Sequence, residues 1–490
     1  MPVPVSRRTV LKAGGTIGAS VAALTVLEQL AWEPIRGVAE AATLPDIQFD
    51  IGNFIAPALN VDDGGGAINV RFGPVYTVFV TAALRVAPSR NAQSVLSQGL
   101  NLIEAAYPFS PSGVFTFVAY SVQYFNLLPA SLVASAIPRL SDGSGRFALE
   151  RATPSPTDVV SGNGVTKRKF NVPLRLESNH VLLTLRSDST TVLNDILNWL
   201  RGSNVLHGSV VPSILTQLFS FTSSRLMFQQ RGLPKKVAQQ NGLSFANQVR
   251  DTSPMWMSFA DQQTSGSAAS GNIVTFAGSS HAVLTTARPG SYFDNAAVQH
   301  LSHNIQDLAS WYDTTGAVSG EAGGETYLER VQYMFRSNPV PNRGVTDQFT
   351  NAGGPAFLPN AFNGTGDAAA NAQAVGTEAG EHRLGHLSAL QRSSRAGDGT
   401  PLHIRMDGPG FDNMDVPDGS RQPKLQFTVF VPTAKFFADM RTNQASLDLQ
   451  AANNVDPQDN GLERFITATR RQNFLVPPRR HRAFPLAEFL

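Results

Sequence analysis

Two stretches far apart in the chain, 115-FTFVAYSVQYF-125 and 427-FTVFVPTAKFF-437, share a Phe-Thr opening, a hydrophobic run, a polar turn and a closing aromatic pair. Repetition of such a unit constrains a fold strongly, because each copy has an apolar face that must be covered by helices or by another sheet. Two copies of a strand-helix-strand plan suit a pair of α+β domains with antiparallel sheets and peripheral helices. The match is short, and coincidence is the competing explanation. Length agrees with two domains: the chain has 490 residues, and a domain takes about 150. The 41 Gly and 31 Pro argue for many turns and against a helical bundle.

Along the chain, 74–87, 113–125 and 180–188 read as strands rich in Val, Phe, Tyr and Leu. Residues 190–201 read as a helix, with Asp188, Ser189 and Thr190 as candidate N-caps. In 297–313, Val298, Leu301, Ile305, Leu308 and Tyr312 recur every three or four residues, which predicts an amphipathic helix with His300 and His303 near one another. A strand-to-helix unit over 425–440 and a closing strand at 472–478 follow. The expected division is a leader, 1–41, and domains 42–265 and 266–490, the second carrying a Gly/Ala-rich surface excursion at 351–380.

The leader is read from 6-SRRTVLK-12, twin arginines ahead of an Ala/Gly-rich run to Ala31. This resembles a twin-arginine (Tat) export signal. Gly14, Gly15, Gly18, Glu28 and Gln29 make the run too polar for a comfortable membrane span, and 39-AEAA-42 offers a cleavage site after Ala41 or Ala42. The expectation is an exported protein, periplasmic or extracellular, with no stable span once the leader is removed. The chain has no cysteine, which excludes disulfides, thiolate ligands and covalent haem attachment. Because the twin-arginine route carries folded proteins, a non-covalent cofactor becomes a natural expectation.

Charge is nearly balanced at a formal +2, which gives no reason to expect a nucleic-acid partner. The basic cluster 470-RRQNFLVPPRRHR-482 reads either as a salt-bridged edge or as a holder of an anionic ligand group. His382 and His386, spaced i,i+4, lack the Glu of a zinc-protease motif, and a surface helix start is the plainer reading. Four Asp residues in 407-DGPGFDNMDVPDG-419 offer oxygen ligands to calcium, but their spacing is also that of ordinary turns. Asp261 ends the apolar run 254-PMWMSFADQQ-263, where lost hydration would raise its pKa, although alone it reads as a satisfied turn residue. His403, in 400-TPLHIRMDGPGFD-412, alone reads as a structural histidine.

Taken in order, several segments resemble the dye-decolorising (DyP-type) haem peroxidases: 113–129, 181–197, 252–263, 290–311, 402–407, 425–432 and 474–478. The resemblance spans roughly 75–480, and the order of the matches carries it. It implies two ferredoxin-like domains in a dimeric α+β barrel-like arrangement, haem b as cofactor, and hydrogen peroxide and a small-molecule reductant as partners. A homo-oligomer is compatible with it. It also implies that His403 is the haem ligand, that Arg405 meets a propionate, and that Asp261 is the distal aspartate moving a proton during O–O cleavage. Arg421 falls at the offset of the distal arginine, and Trp256, Trp311 or Tyr312 would carry electrons. The chain departs from the family where the distal G-x-x-D-G motif reads Ser258-Phe259-Ala260-Asp261-Gln262, and Arg421 sits in 418-DGSRQP-423 instead of Arg-Arg-Gly. The alternative is an exported relative that kept the scaffold and serves in binding or structure.

Overall fold

The computed structural model describes residues 7–30, 44–55, 59–62, 67–70, 73–159, 167, 169–258, 271–278, 284–313, 403–452 and 454–490. An N-terminal helix α1 (Arg7–Leu30) precedes β1 (Tyr76–Leu84), α2 (Arg90–Ala106), β2 (Phe115–Tyr120), β3 (Val181–Ser187), α3 (Thr190–Leu200), β4 (Phe219–Phe228) and α4 (Leu233–Gln240). Then come β5 (Ala297–Gln306), β6 (Ile404–Arg405), β7 (Gly408–Asp412), β8 (Gln422–Val431), α5 (Ala434–Ala445) and β9 (Ile466–Val476).

All nine strands belong to one ten-stranded sheet, whose main path runs β6-β8-β5-β9-β2-β3-β1-β4, with β7 also on β8. The path splits into two equal patterns. In β2-β3-β1-β4, the first strand lies between the third and fourth, which is the β-α-β-β-α-β order of a ferredoxin-like unit. The order β6/β7-β8-β5-β9 repeats it. The units join where Leu475 of β9 pairs with Tyr120 of β2. The fold is therefore α+β, a large antiparallel sheet with helices on its periphery.

This topology shifts the repeat seen in the sequence. The 115–125 segment spans the second strand of the first unit, whereas 427–437 spans the third strand of the second. The structural counterpart of β8–α5 is β3–α3. Both helices start at a hydroxyl cap: Ser189 accepts from Val192 N at 3.3 Å and Thr433 from Phe436 N at 2.9 Å.

The helix expected over 297–313 is instead β5, followed by one helical turn at Leu308–Trp311. Every residue of β5 is buried, because the strand is paired on both edges and covered on both faces. A strand buried on both faces shows no polar/apolar alternation, so a chance three-four spacing of Val298, Leu301 and Ile305 imitated a helix. His300 and His303 consequently point to opposite faces.

The sheet's two ends meet. Trp256 Nε1 donates to the Gly410 carbonyl at 2.9 Å, and a Cβ at Gly410 would lie 2.9 Å from the Leu226 carbonyl oxygen. Only glycine lets β7 approach β4 this closely, and the contact curls the sheet into a barrel. Cross-strand register assigns Phe79, Phe117, Leu182, Leu301, Phe430 and Phe474 to the interior, where Phe49, Ile51 and Phe54 join the same apolar cluster. Val78, Val118, Leu183, Val298, Val429 and Leu475 face outward into a larger core with α2, α3 and α5.

Candidate functional site

His403 immediately precedes β6 and is 2 % exposed. Ile404 pairs with Phe430 and packs into the interior cluster with Met406, so alternation turns His403 and the half-buried Arg405 toward the outer, helix-bearing face. Arg405 pairs with Val429 on that face, and Val431 stands at the register position opposite His403.

Asp261 lies outside the described residues, but the segment leading to it is held firmly. Ser258 is fully buried with φ +59°, a left-handed conformation that glycine adopts freely and serine at a cost of roughly 1–2 kcal/mol. The backbone thus takes a left-handed turn at Ser258, the position set against the first glycine of the distal motif in the sequence comparison. The serine hydroxyl contributes bonds that glycine lacks: Ser258 Oγ accepts from Arg250 N at 2.8 Å and lies 2.6 Å from Tyr312 Oη. Tyr312 donates to the Trp256 carbonyl at 2.7 Å, so Ser258 donates to Tyr312 and all three hydrogens are placed. Trp311 Nε1 donates to the Met257 carbonyl at 3.2 Å. Trp256, Trp311 and Tyr312 are therefore buried core residues whose polar atoms fix the 256–258 turn.

Arg421 does not join His403. It stands exposed at the start of β8, its Nη2 donating to the Phe411 carbonyl at 3.1 Å and its guanidinium 4.8 Å over the Phe411 ring. His403 precedes β6, which pairs with the opposite end of β8 at Phe430, and about ten residues of extended chain separate the two positions by roughly 30 Å. The distal-arginine assignment to Arg421 fails on that distance.

A second cluster occupies the polar end of the barrel interior. His303 is fully buried, with Nδ1 2.9 Å from Thr469 Oγ1 and Nε2 3.4 Å from Asp412 Oδ2. Thr469 Oγ1 reaches Asp415 at 3.0 Å, and Arg470 binds Asp415 at 2.7 Å and Glu177 at 3.2 Å. Arg225 pairs with Glu177, and Lys424 Nζ lies 3.6 Å from Asp412. Burial lowers the His303 pKa against the pull of Asp412, which leaves the ring neutral at pH 7. Burial would raise the Asp412 carboxyl, yet His303, Lys424 and the Met414 N–H hold it well below its usual range. Burial likewise opposes, and Arg470 overrides, at Asp415, held down to about 2. If His303 takes up a proton, Nδ1–H can donate to Thr469, whose hydroxyl hydrogen turns to Asp415. The arrangement can accept a proton at an interior ring and spread its charge over two carboxylates.

These contacts displace three readings of the sequence. Asp412 and Asp415 are engaged by His303, Lys424 and Arg470 and are not available as a calcium cage. His300 faces away from His303, stacks on Phe437 at 3.6 Å and bonds Asn473 and Ser302 at 2.6 Å each, so the two histidines form no metal pair. Among the described residues no group of three metal-ligating side chains is found; His382 and His386 lie outside them. In the C-terminal basic cluster the chain's own carboxylates meet the arginines: Arg471 with Asp158 at 2.9 Å, Arg479 with Glu104 at 2.6 Å, Arg482 with Glu104 at 2.7 Å, and Arg480 with Asp46 and Asp294. Sequence reading missed the partners Glu177, Arg225 and Lys424; for Arg225 and Lys424, a charged residue within a largely buried strand was the available signal.

The chain belongs to the family described as a family of unknown function, DUF7405, whose model matches residues 74–478. No curated protein matches it. Among solved structures, it is similar to the encapsulated DyP-type peroxidase from Mycobacterium smegmatis, with 12% identity, TM-score 0.45, and 84% of this chain and 95% of that one covered. It is also similar to the DyP-type peroxidase from Cellulomonas bogoriensis, with 12% identity, TM-score 0.44, and coverage of 83% and 90%. A third is a DypB variant from Rhodococcus jostii RHA1 in complex with heme, with 11% identity, TM-score 0.45, and coverage of 84% and 95%.

Proposed function

We propose that the chain is an exported haem-b peroxidase of the DyP type, using hydrogen peroxide to oxidise phenolic or dye-like donors. The observation that carries the reading is His403: a histidine buried to 2 % beside β6, on the face that bears Val429 and Val431. A buried imidazole on a face with apolar neighbours is a donor type suited to haem iron, and a guanidinium two residues on, at Arg405, suits a propionate. The donor set on this side therefore fits the group.

Haem b, when bound, would supply the iron redox chemistry by which one peroxide is reduced to two waters while two donor molecules each lose an electron. The chain's own residues would bind, orient and move protons. His403 would hold the iron through one ring nitrogen, and Arg405 would anchor a propionate. Asp261 would transfer a proton between the two peroxide oxygens; it follows by three residues Ser258, which the Arg250–Ser258–Tyr312–Trp256 bonds hold in place. Arg421 has no part in this account, and another cation or none would face the departing oxygen.

The test is turnover by the haem-supplied mature chain. Peroxide-dependent dye oxidation abolished by Asp261→Asn, with the haem spectrum retained, is the expected outcome. Haem binding with turnover indifferent to Asp261 would leave the scaffold without this chemistry.

A further inference from the structure

The leader carries information beyond export. Helix α1 lies on the outer side of β4, beside α3 and α4, and its residues divide cleanly by exposure. Ser20, Leu24 and Leu27 are buried, at 5, 0 and 5 %, while Ala19, Ala22, Thr25, Val26, Glu28 and Gln29 are exposed. The buried positions follow i, i+4, i+7, one stripe of a helix, with Val21, Ala23 and Leu30 packed beside it. Polar ties support the stripe. Ser20 Oγ lies 2.7 Å from Ser224 Oγ on β4, Thr191 Oγ1 lies 3.5 Å from Glu28 Oε1, and Lys236 Nζ on α4 donates to the Leu30 carbonyl at 3.0 Å. That last contact places a cation on a carbonyl orphaned at a helix C-terminus, where the dipole favours it. No described helix, α1 included, is long and apolar enough to cross a membrane.

We propose that the surface formed by β4, α3 and α4 is a docking site for the chain's own twin-arginine helix. Arg7 and Arg8 begin the same helix whose far end is anchored. The docking surface exists only when β4, α3 and α4 have assembled, so folding of the domain and ordering of the leader become one event. The twin arginines then belong to a helix anchored on a folded domain, and an unfolded chain offers only a loose segment. Gly14, Gly15 and Gly18 fit this division of labour, because three glycines keep an isolated helix of this length marginal and make its order dependent on the docking surface.

Hydrogen exchange on the full chain tests the proposal, with a peptide of residues 6–31 as reference. Amides of residues 20–30 should exchange on the order of a hundredfold more slowly in the chain than in the peptide. Leu24→Asp with Leu27→Asp should return them to the peptide rate while β1 and β5 stay protected. Peptide-like exchange of this segment in the unaltered chain overturns the proposal, and so does protection that survives the double substitution. Should the double variant lose protection in β1 and β5 as well, Lys236→Ala decides. Faster exchange confined to the last turn of α1 supports docking, and unchanged exchange there refutes it.

Discussion

Acidification from pH 7.5 to 5.5 should destabilise this protein through its buried histidines, and His300 carries the clearest share. Its ring is fully buried, stacked on Phe437, and bonded at both nitrogens. Burial, with the Arg471 charge adding to it, lowers its pKa well below 6.5. The unfolded chain titrates near 6.5, so between the two pKa values the unfolded state binds more protons than the folded one. Stability is therefore full above about pH 6.5 and falls as pH drops through it. One unit below that value, the loss from one such group is about 1.4 kcal/mol. His303, His180 and His481 are lowered in the same direction and add to the slope. Urea unfolding of the chain and of His300→Gln at both pH values isolates the term. The unaltered chain should lose about 1.4 kcal/mol more than the variant over this interval. Equal losses, or a smaller loss in the unaltered chain, would refute the assignment of His300 as a neutral buried ring.

Ser258→Ala should destabilise by about 1–3 kcal/mol, because the Arg250 N–H and the Tyr312 hydroxyl lose a partner in a buried turn. Ser258→Gly removes the same bonds but relieves the left-handed strain, so it should be about 1 kcal/mol less damaging in denaturant titration. Gly410→Ala should lower the melting temperature, since its Cβ would lie 2.9 Å from the Leu226 carbonyl at the barrel closure. Arg421→Ala should change stability by no more than about 1 kcal/mol, the scale of an exposed cation–π contact, and leave the haem spectrum unaltered.

The sequence made the ferredoxin-like pairing legible in part. The strands β1 to β3, helix α3 and the β8–α5 unit follow from β-branched and aromatic runs, helical spacing and hydroxyl caps. Strand β5 was hidden because it is covered on both faces and its His300, Ser302, His303 and Asn304 side chains find hydrogen-bond partners there; period alone cannot identify such a strand. Barrel closure was hidden as well, since Gly410 looks like a turn residue until β4 is seen beside it. At the candidate site, His403 is buried beside β6 and Arg405 half-buried within it, and their haem roles stand as the proposal. Arg421 was drawn in by an offset counted along the chain, and an offset ignores the extended strand that carries the two residues apart. Within the 258–262 segment only Ser258 is described, and its left-handed backbone is one its letter does not announce.

The proposal that matters most is that His403 would hold the iron of a bound haem b. The most direct measurement is a haem titration of the mature chain followed by absorption spectroscopy, run in parallel on His403→Gly with and without added imidazole. Stoichiometric binding with a Soret band is expected, with the band displaced or lost in His403→Gly and recovered when imidazole enters the space the side chain left. A chain that folds but binds no haem, or a Soret band identical in the His403→Gly variant, would contradict it.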